Sequence, residues 1–132
     1  AGALAAEGFD VLAESRGYTA SHQVLTRHGE LDSGAGAKAA QRLEEAGIIT
    51  NMNMLPGDTK AMTPSGLRLG VQELTRVGFS NDDMEEVASF YARVLLHGED
   101  PAAVRADVHA LKQQRQTIRY CFNEDERSGY PE

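Results

Sequence analysis

The sequence has no tryptophan, one cysteine and four prolines in 132 residues. A lone cysteine, Cys121, can close no internal disulfide, so the fold must rest on its core, and a reducing, cytoplasmic setting is the expectation. No apolar run approaches the ~20 residues of a membrane-crossing helix, and no signal-peptide pattern is present. Basic residues are also short: 13 Lys and Arg face 20 Asp and Glu, for a formal charge of −7. Nucleic acid is therefore an unexpected partner, because phosphate binding requires clustered cations. Internal repeats and low-complexity segments are missing as well. What remains is enough for a single domain, expected over residues 1–120, followed by an acidic, turn-rich tail over 121–132 that reads as flexible. The opening "AGALAA" is helical in composition but lacks a capping residue, which raises the expectation that residue 1 was made by cutting a longer chain.

Periodicity supplies the elements. Phe9, Val11 and Ala13 alternate with polar residues as in a half-buried strand, and Val24 and Leu25 centre a second strand. "GAGAKAAQRLEEAG" predicts a helix capped by Asp32 or Ser33, with Ala37, Ala40, Leu43 and Ala46 on one face and Gly47 as its stop. Ile48–Thr50 reads as a brief strand, and "NMNMLPGDTKAMTP" as a long loop of the kind that is functional or mobile. "SGLRLG" then alternates, sending Leu67 and Leu69 to one face and Arg68 to the other. A helix with Ser80 and Asp83 in capping-box spacing follows, carrying Met84, Val87, Ala88, Tyr91 and Leu95 on one face. Asp100-Pro101 opens a last helix through Val104, Val108 and Leu111. The order predicts an α/β (α+β) two-layer sandwich, a small, mostly antiparallel sheet with helices on one face.

Few residues combine into chemistry. Ser21 and His22 are adjacent in a strand reading and point apart, so they make no nucleophile-base pair. His22, His28 and Asp32 match no metal-site spacing and read as locally hydrogen-bonded residues. The glycines of "GAGAKAA" match neither phosphate-binding fingerprint and fit a tight helix start instead. Cys121 has no activating cation and reads as a small packed residue. Arg68 stands out because a planar fork of donors, held on a strand, suits bidentate capture of a carboxylate or phosphate. Its plainer reading is a surface cation paired with Glu73.

A resemblance shifts that balance. "AGIITNMNMLPGD", "SGLRLGVQELTRVGF" and "DDMEEVASFYARVL" resemble, in order and spacing, the C-terminal domain of the serine hydroxymethyltransferase family of fold-type I pyridoxal-phosphate enzymes. "AEGFDVLAESRGYTASHQVL" resembles the start of that domain, with His22 at a family histidine, so the likeness reaches about Leu96. It implies that Arg68 binds the α-carboxylate of an amino-acid substrate, with no catalytic residue in this chain. It also implies that Asn53, with Asn51 beside it, contacts a folate pterin, their plainer reading being polar loop capping. Where the family usually has Thr-Pro-Ala, this chain has Val71-Gln72-Glu73, a run more similar to the serine-hydroxymethyltransferase-like threonine transaldolases. Transfer of an aldehyde without tetrahydrofolate is thus preferred over hydroxymethyl transfer to it. None of Lys38, Lys60 and Lys112 lies in a segment like the family's cofactor-binding one. The resemblance therefore implies that pyridoxal 5'-phosphate is held by a large domain or companion chain, that this chain alone is inert, and that the full enzyme is a homo-oligomer. A stand-alone binding or regulatory module of the same shape is the alternative.

Overall fold

A computed structural model describes residues 1–119. Cys121 and the acidic tail of 121–132 lie outside the described residues. In chain order the elements are α1 (Gly2–Ala6), β1 (Asp10–Val11), a single 3-10 turn (Glu14–Arg16), β2 (Gln23–Arg27), α2 (Ala35–Glu45), β3 (Asn51–Asn53), β4 (Gly66–Gly70), α3 (Gln72–Arg76), α4 (Asp83–Leu95) and α5 (Pro101–Gln113). The four strands form one sheet in the order β1-β2-β4-β3, antiparallel at every pairing. Helix α2 packs on β3 and β4, and α4 packs on α1, α2 and α5. The two-layer sandwich expected from the sequence is the architecture observed.

The core lies between the sheet and the helices. Val11, Val24, Leu67 and Leu69 face inward from the strands and meet Leu43 and Ala46 of α2 and its end, and Tyr91 and Val94 of α4. Leu43, Leu67, Val94 and Val104 are wholly excluded from water. Burial of such side chains stabilises by roughly 1.5–3 kcal/mol each, so these few positions carry much of the fold.

Several local expectations are corrected. The first strand stops at Val11, because Ala13 takes a left-handed conformation (φ 63°) and starts the 3-10 turn. Ile48–Thr50 is not a strand; the pairing with β4 begins at Asn51, inside the stretch read as a loop. Helix α2 has Gly34 at its N-cap, left-handed at φ 71°, and the buried stripe is Gly36, Ala39, Leu43 and Ala46, while Ala37 and Ala40 are half-buried. A side chain at Gly36 would collide with the Gly66 carbonyl, so the glycine-rich helix start sets backbone against backbone where α2 meets β4. Helix α3 was not expected at all. Helix α4 has the predicted capping box, with Ser80 N donating to Asp83 Oδ2 at 2.7 Å and Asp83 N to Ser80 Oγ at 3.4 Å. It is buried more broadly than one stripe, through Phe90, Ala92 and Val94, because helices flank it on more than one side. Asp100 caps α5 by accepting from Ala102 N at 3.0 Å, ahead of Pro101.

Candidate functional site

The face of the sheet away from the core carries the polar strand residues. Register aligns Leu25, Arg68 and Asn51 in one row across β2, β4 and β3, and directly opposed residues share a face. The next row holds Asp10, Arg27, Gly66 and Asn53, with Arg27 Nε 3.2 Å from Asp10 Oδ2. Arg68 is exposed between two buried leucines. Among the described residues its guanidinium makes neither a hydrogen bond nor an ion pair. The pairing with Glu73 is overturned: Glu73 is taken by Arg76, whose Nε and Nη2 each donate to it at 2.9 Å. The guanidinium fork is therefore open to a ligand.

Two glycines frame that arginine on its own face. The space a side chain would fill at Gly66 is taken by Leu55, which is 3% exposed yet stands apart from the main core. At Gly70 it is taken by the carboxamide of Gln72, whose Oε1 lies 2.5 Å from where a Cβ would sit. Strand alternation puts Gly66, Arg68 and Gly70 on one side, so Leu55 and Gln72 flank the arginine along the strand as Leu25 and Asn51 do across it. Beside Leu25 a shallow groove of about 540 Å³ opens, lined by Leu12, Arg16, Tyr18, Gln23 and Pro56 among others.

The stretch before β4 is fastened rather than loose. Asp58 accepts from Leu55 N (2.8 Å), Asp32 N (2.7 Å), Ser65 N (3.0 Å) and Ser65 Oγ (2.8 Å). Asp32, expected to cap a helix, instead accepts from Thr59 N (2.8 Å), Thr59 Oγ1 (2.7 Å) and Lys60 N (2.7 Å). Desolvation pushes the Asp58 carboxyl up, but these donors outweigh it and hold the group well below the usual carboxylate range. At Asp32 the Thr59 hydroxyl leads the same downward shift. Asp58 thus holds the backbone of Asp32, Asp32 holds the backbone of Thr59 and Lys60 just after Asp58, and together they brace the chain between Asn53 and Gly66.

The other candidates lie elsewhere. Asn51 and Asn53 are on strand β3, not in a loop, and Asn53 Nδ2 donates to Met54 O at 2.6 Å. Ser21 and His22 precede β2 rather than lying within it; the Ser21 hydroxyl accepts from Gln23 N at 3.2 Å, and the His22 carbonyl from Val71 N at 3.1 Å. His28 is part-buried beside Phe9 with Nε2 2.8 Å from the Thr26 hydroxyl, and desolvation lowers its pKa to about 4 against a weaker upward pull from Asp10. It is a neutral structural histidine. Tyr91 lines a cavity of about 280 Å³ on the helix side, and burial pushes its phenol up. Lys38, Lys60 and Lys112 are all exposed and none lies on a strand. The residues present therefore do not fit a Schiff-base site for pyridoxal phosphate. Sequence reasoning missed Leu55, Asp58 and Gln72; the only local hints were an acid just after Pro-Gly and two glycines at i−2 and i+2 of the arginine.

Comparison with known proteins gives the family and the fold. The family model for serine hydroxymethyltransferase matches residues 1–91. Serine hydroxymethyltransferase of Thermococcus kodakarensis is 53% identical over 123 residues, covering 92% of this chain and 28% of that protein. The corresponding protein of Pyrobaculum neutrophilum is 50% identical over 123 residues, with 93% and 28% covered. Among solved structures, L-threonine transaldolase from Pseudomonas fluorescens superposes with a TM-score of 0.76 at 32% identity, over 88% of this chain and 26% of that one. The chain thus spans a little over a quarter of the length of these relatives. On the match across residues 1–91, it belongs to the serine hydroxymethyltransferase family.

Proposed function

We propose that this chain is the C-terminal small domain, over residues 1–120 with a tail at 121–132, of a pyridoxal-phosphate enzyme that makes or breaks the Cα–Cβ bond of a β-hydroxy amino acid. Arg68 is its carboxylate clamp. The observation that carries the reading is an exposed arginine without a partner among the described residues, fixed on a rigid strand in a chain of this family. Pyridoxal phosphate supplies electron withdrawal at Cα when bound, and a large domain or companion chain holds it. The work of this chain is to orient. Arg68 grips both carboxylate oxygens and so fixes which bond at Cα lies in the reactive direction, with Leu25 opposite it and Leu55 over Gly66 on the same face. Without the companion the chain is inactive. The full enzyme is a cytoplasmic homo-oligomer.

Hydroxymethyl exchange between serine and glycine is supported by 53% identity to a protein named for that activity, with Asn51 and Asn53 at the rim for a tetrahydrofolate-type carrier. The second reading, aldehyde exchange on threonine without folate, is favoured by Val71-Gln72-Glu73 and by the structural likeness to a transaldolase at 32% identity. Assaying the full-length protein with serine plus tetrahydrofolate, and with threonine plus an aromatic aldehyde, separates them. Turnover in the first alone supports hydroxymethyl transfer; turnover in the second alone supports aldehyde exchange. Turnover in neither, with no pyridoxal-phosphate absorbance, leaves a non-catalytic binding module.

A further inference from the structure

The carboxamide of Gln72 makes no hydrogen bond among the described residues. It lies over Gly70, with Oε1 2.5 Å and Nε2 3.1 Å from the place of a missing Cβ, on the face that carries Arg68. Residue 70 is two strand steps from residue 68, about 6.6 Å along the strand, and long strand side chains lean in that direction. An acceptor oxygen is thus within reach of the guanidinium. The opposite flank, over Gly66, is closed by the apolar Leu55 and offers no such acceptor. Across the strands stand Leu25, which has no acceptor, and two further carboxamides, Asn51 opposite Arg68 and Gln23 opposite Gly70, but neither occupies the space over Gly70 that Gln72 fills.

We propose that Gln72 is a positioning residue for Arg68. With a carboxylate on the outer edge of the fork, the sheet-facing N–H turns to donate to Gln72 Oε1, a bond the ligand-free guanidinium does not make, and this fixes the plane of the guanidinium while substrate is held. A neutral carboxamide suits this task where a carboxylate does not: Glu at this position would pair with Arg68 outright and compete with the substrate. Gly70 is the other half of the device, since any side chain there would push the carboxamide off the face. The inference rests on Arg68 being the carboxylate clamp, and it assigns to Gln72 the specificity for a carboxylate-bearing amino acid.

The test measures dissociation constants of L-serine and of L-serinamide, which lacks the carboxylate, for the full-length protein by calorimetry. Gln72→Ala weakens serine about tenfold, the loss of one hydrogen bond to a charged group, and leaves serinamide within twofold. Gly70→Ala keeps the glutamine but displaces its carboxamide, so it reproduces the same selective loss, and the double variant is no worse than either single one. Gln72→Glu weakens serine further still. Serine binding within twofold of the parent in Gln72→Ala, or equal losses for serine and serinamide, overturns the role of Gln72. Arg68→Lys, measured alongside, separates this from the broader reading: if it too leaves serine unchanged, the clamp itself is refuted, whereas a selective loss there with none in Gln72→Ala refutes only the inference about Gln72.

Discussion

On the helix side of β4, Leu67 is wholly buried and Leu69 is 7% exposed; on the other side, between them in sequence, Arg68 is exposed with no partner among the described residues. Three consecutive residues thus serve two purposes that do not interfere, because the pleat sends their side chains apart. The inner face obtains its stability from area removed from water. The outer face keeps a donor fork unpaired, which in a finished core would be a defect and, in the clamp role proposed for Arg68, is a preparation. Rigidity passes from one to the other through the backbone: the leucines hold the strand, and the strand holds the arginine.

The comparison breaks most visibly at Arg68. Arg68→Ala in the full-length protein is expected to lower kcat/KM by at least ~10²-fold, since a bidentate charged contact is lost, and to leave the unfolding midpoint unchanged, as for other exposed positions. Leu67→Ala should do the reverse, costing about 2–5 kcal/mol by denaturant titration while kcat/KM per folded molecule stays near the parent value. A large activity loss per folded molecule in that variant would show that the two faces are not separable.

A smaller effect tests the inner face by pH. Burial lowers the His28 pKa to about 4, below its unfolded value, so the unfolded chain binds the proton first. The neutral ring contributes its full stability above about pH 6.5, and that contribution fades as pH falls toward 4. After allowing for the ring's partial exposure, about 2 kcal/mol should be lost over this window, and His28→Gln should flatten it in urea titrations at stepped pH. Below the window, the lowered carboxylates Asp58 and Asp83 take over the acid sensitivity: the donors outweigh desolvation at Asp58, and Arg115 leads at Asp83. The smallest expected change is Asn53→Ala, within about 0.5 kcal/mol of the parent in stability, its effect confined to KM for tetrahydrofolate if hydroxymethyl transfer is the reaction.

Alternation and capping were enough to read the two faces of β4, the capping box of α4 and the Asp100-Pro101 start of α5, because each depends on residues within one turn or one strand. Long-range pairing was not legible. Asn51–Asn53 has weak strand propensity and becomes β3 only by pairing with β4, a case of tertiary context overriding local preference. The bracing by Asp32 and Asp58 spans 26 residues, so neither aspartate announces its partner. Likewise, the glycines beside Arg68 signal close approach, but only the folded chain shows that Leu55 and Gln72 are what approaches.

The central claim is that Arg68 is a geometric clamp rather than a generic positive charge. Arg68→Lys keeps the charge and removes the fork, so kcat/KM for the amino-acid substrate of the full-length protein, measured together with its thermal midpoint, tests that claim directly. The predicted result is a loss of roughly 30-fold or more at an unchanged midpoint, as expected when one of two charged hydrogen bonds is lost. Activity within about twofold of the parent would contradict it.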